Sequence, residues 1–98
     1  MTNQEERAAK DRLRRAVMAF QRAQVALLKT HRELRTRPPV DLSAFWDGKG
    51  RRIAVDVEAA ARELVAAFRA FSAAGSVISA ADWHQVSEAK RYIKVGGA

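Results

Sequence analysis

Apolar residues recur along the first third of the chain with a helical period. Leu13, Phe20, Leu27 and Leu34 are spaced seven apart, and Ala9, Ala16, Val17, Ala23 and Leu28 widen the stripe. This is the pattern of a helix that buries one face. Residues 3–36 contain neither Gly nor Pro and are dominated by the strong helix formers Ala, Arg, Leu, Gln, Glu and Lys. Thr2 or Asn3 is expected to cap the start, and Glu5 and Glu6 suit the positive end of the helix dipole. Pro38 and Pro39 stop the element, because proline disfavours helix in the residue before it.

A helix over 3–36 would be about 50 Å long, against roughly 30 Å for a compact domain of this size. Its stripe therefore needs cover along its whole length, from a second long helix folded back or from another copy of the chain. The pattern supplies a candidate for the first. Ile53, Val57, Ala60, Leu64, Phe68 and Phe71 share one face of a helix expected from Ile53 or Asp56 to Ala74, with Ala61 and Ala67 beside them and Gly75 as the stop. Ser79-Ala-Ala-Asp82 has capping-box spacing and opens a third helix, expected over 79–92, with Trp83, Val86 and Ile93 on one face and the stem of Lys90 between them. Tyr92 lies off that face if the helix continues. Arg91-Tyr-Ile-Lys-Val95 can also be read as an extended tail, and 95–98 as frayed.

The connector, 37–52, is less determined. Asp41 is placed to cap one helical turn holding Leu42, Phe45 and Trp46. A short hairpin pairing 44–46 with 52–55 competes with it, and the helical turn is the preferred reading. Asp47-Gly48 is a tight-turn signal, and Gly50 adds freedom after it. The expected fold is all-α, one domain over 1–98: an elongated helical hairpin plus a shorter third helix, self-associating as a homo-oligomer with a dimer as first choice. Leu13, Phe20, Leu27, Leu34, Trp46, Trp83 and Tyr92 are the expected protein-interface residues.

Charge changes this picture more than composition does. The chain has 98 residues, 48% of them hydrophobic, and a net charge of +7. Residues 1–52 carry 13 Arg or Lys, 10 of them Arg, against 6 Asp or Glu, whereas residues 53–98 carry 5 of each. The excess belongs to the first half. There Arg15, Arg22 and Lys29 repeat every seven residues, opposite the apolar stripe and flanked by Arg14 and Arg32. Arginine's planar fork suits phosphates and carboxylates. These five residues are the candidate site for an anionic partner: nucleic acid, a nucleic-acid-handling complex or an acidic protein surface.

Other chemistries find little support in the sequence. The two histidines, His31 and His84, are 53 positions apart with no carboxylate at suggestive spacing, so no catalytic residue is assigned and no enzyme is expected. Without Cys, a His-x-x-x-His pair or an Asp-rich loop, no metal or cofactor is expected either. Asp47-Gly-Lys-Gly50 lacks the phosphate-loop pattern, no serine sits in a Gly-x-Ser-x-Gly frame, and no small-molecule substrate is assigned. A helix-turn-helix around Gly75 is disfavoured, since Phe71 stands where a small residue is needed and Ser76 where an apolar one is. No apolar run reaches the roughly 20 residues of a membrane span, and the polar start is unlike a signal peptide, so a cytoplasmic location is expected.

The expected function is thus that of a small non-catalytic accessory or regulatory protein binding an anionic partner through the arginine face. The alternative is a protein–protein adaptor or inhibitor, of the kind phages and mobile elements encode, acting by occupancy through Trp46, Trp83 and Tyr92. A third reading comes from Trp46-Asp47-Gly48, which lies near mid-chain between two long helices in a chain without cysteine. This resembles the small WXG-type secreted proteins, and the resemblance implies a dimerising helical hairpin exported by a specialised secretion system. The chain departs from that family where Tyr92 is followed four residues later by Gly96 instead of Asp or Glu.

Overall fold

A computed structural model describes residues 3–93. Helix α1 spans Asn3–Thr36, as its pattern predicts, with Glu5 and Glu6 in its first turn and Arg35 in its last. Thr2, an expected cap, lies outside the described residues, as do 94–98. The chain then turns over 37–41, the Pro38-Pro39 segment, and Asp41 restarts a helix by accepting the Ala44 backbone N–H on its carboxylate at 3.0 Å. That helix is α2 (Leu42–Phe45), one turn long. A π turn over Trp46–Gly50 carries it without a break into α3 (Arg51–Ala73).

Here the structure corrects the sequence reading. The connector is 37–41 rather than 37–52, and the second long helix begins near Leu42 rather than at Ile53 or Asp56. Asp47-Gly48 does not turn the chain; it sits inside the helix. The cause is visible at Trp46, whose indole ring lies where a side chain at Gly50 would project. That ring is also 5.5 Å from His31 of α1, centroid to centroid, and 5.3 Å from Phe45. A wide turn with one extra residue accommodates the ring. Packing against α1 overrides the weak helix propensity of the two glycines.

α3 ends where expected. Gly75 adopts the left-handed region with φ of +82°, and its N–H bonds the Ser72 carbonyl at 3.0 Å. Helix α4 covers Ala80–Lys90, capped by the Ser79 hydroxyl, which accepts the Asp82 N–H at 3.1 Å. The chain leaves the helix after Lys90, two residues before the expected end. Tyr92 then folds back so that its ring meets Phe20 edge-on at 5.7 Å.

The architecture is all-α: an antiparallel hairpin of two long arms, with α4 laid across one half of it. The molecule measures 56 × 27 × 19 Å with a radius of gyration of 16.1 Å, against about 13 Å for a compact chain of this length. Leu13, Ala16, Val17 and Phe20 of α1 meet Val57, Ala61, Leu64, Ala67 and Phe71 of α3, and Val86 and Ala89 of α4 close the core. Phe20, Leu64, Val57 and Val86 are the largest fully buried side chains, while Ala61, Ala67 and Ala89 have no exposed surface and let the backbones approach. Val65, absent from the predicted α3 face, is buried as well. Leu28 goes the other way. It does not join the α1 stripe and stands half exposed on a different face.

The π turn makes opposite forecasts for its two glycines. A methyl group at Gly48 meets nothing within 4 Å, so Gly48→Ala is expected to stabilise the protein by about 0.5–1 kcal/mol through lower unfolded-chain entropy. At Gly50 the same methyl runs into the Trp46 ring, and Gly50→Ala is expected to cost about 1–3 kcal/mol. Urea unfolding of both variants measures the two shifts; equal responses would rule out the Trp46–Gly50 contact.

Candidate functional site

All five predicted cations, Arg14, Arg15, Arg22, Lys29 and Arg32, are exposed. Their position follows from helix geometry. At about 100° per residue they occupy one arc of α1, opposite the arc of Leu13, Ala16, Val17 and Phe20 that packs into the bundle. From Arg12 to Arg32 the helix contains no acidic residue; Asp11 and Glu33 bound the stretch. None of the five pairs with a carboxylate among the described residues, where the ion pairs found are Arg12–Glu63, Arg62–Glu58 and Arg91–Glu88.

Arg12 shows what distinguishes a cation at the edge of this arc. Its guanidinium reaches across to α3 and donates twice to Glu63, at 2.7 and 3.2 Å. The side-chain hydrogen bond from Arg12 lowers the Glu63 pKa; partial burial opposes it and the Arg12 charge adds to it, and the Arg12 pKa is raised by the same contact. The five outer cations have no such partner among the described residues.

The interface residues expected from the sequence are scattered. Leu13 and Phe20 lie in the core, with Leu27 and Leu34 half-buried beside or beyond it. Over the Leu13–Phe20 stretch the stripe is thus covered within the chain by α3 and α4, and the uncovered stripe that argued for a second copy does not exist there. Trp46 is half-buried against His31. Tyr92 is half-buried too, on Phe20, and its hydroxyl accepts from Gln24 at 3.4 Å. Trp83, at 45% exposure, is the open one, though its ring meets Phe68 at 5.4 Å and carries the Lys90 ammonium 5.2 Å above it.

His31 lies beside the hairpin turn and His84 is exposed on α4, so the fold does not bring the two histidines together. Among the described residues no group of three or more His, Cys, Asp or Glu could hold a metal ion, and no helix is long and apolar enough to cross a membrane. What the sequence reading did not single out is the apolar content of the basic arc. Met18, Val25 and Leu28 are 52%, 63% and 54% exposed and lie among its cations. The signal was in the sequence, since 18, 25 and 28 keep helical spacing with one another, but the stronger Leu13–Phe20–Leu27 repeat masked it.

No family model, curated protein or solved structure matches the chain. The likeness to WXG-type proteins rests on the tripeptide Trp46-Asp47-Gly48 and on its place between two long helices, and here that tripeptide is helical while the hairpin turns at 37–41.

The Arg12–Glu63 bridge fixes a pH dependence. Because Glu63 is held below its ordinary pKa, its stabilising contribution is present at neutral pH and is lost as pH falls through its folded-state value. Arg12→Met is expected to lower Tm slightly at pH 7 and to match the parent protein in acid once Glu63 is protonated. Thermal melts across pH test this, and raised salt should shrink the gap at pH 7.

Proposed function

We propose that this protein is a small accessory binding protein that engages an anionic partner through the outer arc of α1. The observation that carries the reading is the set of exposed cations at Arg14, Arg15, Arg22, Lys29 and Arg32, with no carboxylate partner among the described residues and no acidic residue between them along α1. Lys29 and Arg32, three positions apart on the helix, repel one another, the other three cations share their arc, and a partner carrying negative charge offsets this concentration of like charge. Polyanions, nucleic acid among them, meet the requirement.

The rigidity of the platform supports the same reading. The opposite face of α1 is anchored in the core through Leu13, Val17 and Phe20, so the cations are held in a fixed row and a partner need not order a flexible segment. The rival adaptor reading, through Trp46, Trp83 and Tyr92, has less support, because Trp46 and Tyr92 already spend much of their surface on contacts within the chain.

Poly-L-glutamate and a random-sequence DNA duplex are suitable probes. The triple variant Arg15→Glu, Arg22→Glu and Lys29→Glu is expected to lose salt-dependent binding to both, with unchanged helicity by circular dichroism. For the duplex, five neutralised phosphates predict a log–log salt slope of about −4.5. Failure of both probes to bind at about 50 mM salt, or binding that survives the triple reversal, would remove the basis of this reading.

A further inference from the structure

Helix α1 carries two seams, and the fold uses one of them. The first, through Leu13, Phe20 and Leu27, packs against α3 and α4. The second runs through Met18, Gln21, Val25 and Leu28, separated by three, four and three residues, which is the alternation of coiled-coil a and d positions. All four residues are exposed, and no element among the described residues covers them. Arg14 and Arg32 continue the same register at its two ends. Arg15, Arg22 and Lys29 each follow a seam position of the d type (Arg14, Gln21, Leu28), so they occupy the e positions that flank a coiled-coil interface. Gln24, which donates to Tyr92, borders the seam on the side of the bundle.

We propose that this second seam docks an acidic amphipathic helix of a partner protein, one with an apolar a/d row bordered by glutamate or aspartate. The inference rests on the anionic-partner reading above and names the class of partner. Charge complementarity selects it. Flanking e and g charges decide coiled-coil partners, and the flank here is a row of three cations with no ion-pair partner among the described residues. A second copy of this chain fits poorly. Antiparallel pairing would set Arg15, Arg22 and Lys29 against their own kind, and parallel pairing would set Arg14 on Arg14 and Arg32 on Arg32. A nucleic-acid backbone satisfies the cations but offers no apolar row to Met18, Val25 and Leu28. From Arg14 to Arg32 the seam is about 27 Å long, enough for close to three heptads of a partner helix.

The groove at one end of the seam adds an entry for that helix. Met18 and Arg14 line a depression together with Phe71 and Val77, with Lys10 and Asp82 at its polar border, and Val77 is almost fully exposed. Apolar contact thereby extends beyond α1 onto the link between α3 and α4.

The test uses the full chain and two synthetic peptides of about three heptads. One has leucine at a and d and glutamate at e and g; the other has the same composition scrambled so that no apolar face forms. The protein is expected to bind the patterned peptide at least about tenfold more tightly than the scrambled one or a random duplex, given the apolar area the seam can bury. The variant Met18→Ala, Val25→Ala and Leu28→Ala should lose that preference while keeping its affinity for poly-L-glutamate. Because alanine favours helix, this variant should also keep its fold. Val25→Glu, which places a like charge in the centre of the seam, should weaken the patterned peptide further.

Equal binding of the two peptides, or a seam variant that behaves as the parent, overturns the inference and leaves the anionic-partner reading standing. A duplex that outcompetes the patterned peptide also overturns it, in favour of nucleic acid. So does a dimer seen by sedimentation that the seam variant dissociates, which would assign the seam to a second copy. Indifference of every probe to the charge-reversed triple variant removes both readings.

Discussion

Everything in this molecule depends on the antiparallel contact between α1 and the long helical arm that follows it. A helix of 34 residues with a stripe of large apolar side chains is not stable alone in water. Most helical stability in proteins comes from burying such a face. The Pro38-Pro39 turn returns the chain along α1, and Val57, Leu64 and Phe71 of α3 then meet Phe20, Val17 and Leu13. Each fully buried large side chain is worth about 1.5–3 kcal/mol. The intervening alanines matter as much, because Ala16, Ala61 and Ala67 allow the backbones to close without voids.

Once that contact is made, the rest of the surface is decided. Rotation of α1 about its own axis is no longer free, so the cations opposite the stripe must face solvent. Three of the five acidic residues of α3 and α4 are taken up in ion pairs away from the outer arc: Glu58 pairs with Arg62, Glu88 with Arg91, and Glu63 reaches back only as far as Arg12. The neutral half of the chain therefore does not neutralise the basic half. Helix α4 reinforces the asymmetry by covering only part of the hairpin, with Trp83 on Phe68 and Tyr92 on Phe20. One end of the molecule is a three-helix bundle and the other a two-helix arm closed by Trp46 and His31.

Several features were legible because they depend on neighbours in the sequence. The Asn3–Thr36 helix, the Asp41 and Ser79 caps and the stop at Gly75 appear where expected, since propensity, capping and the left-handed preference of glycine act over a few residues. The five cations of the candidate site were legible for the same reason, as a seven-residue repeat is enough to place side chains on one face. The assignment of Leu28 failed because it sits at the border between two seams. Local spacing allows either, and only the position of α3 decides which one is buried.

The sequence by itself determined that the chain is helical, where its helices are capped, and that a cationic arc lies opposite the main apolar stripe of α1. Local dihedral preferences and helical periodicity suffice for each of these. Only the tertiary structure decided that Asp47-Gly48 continues a helix instead of turning the chain, because the indole of Trp46 packs over Gly50 and against α1. Only it decided that the Leu13–Phe20 stripe is consumed within the chain, leaving Met18, Val25 and Leu28 as the exposed large apolar side chains of α1. Those outcomes depend on which of two chemically similar faces meets a partner, and that is settled by contacts between residues far apart in the chain.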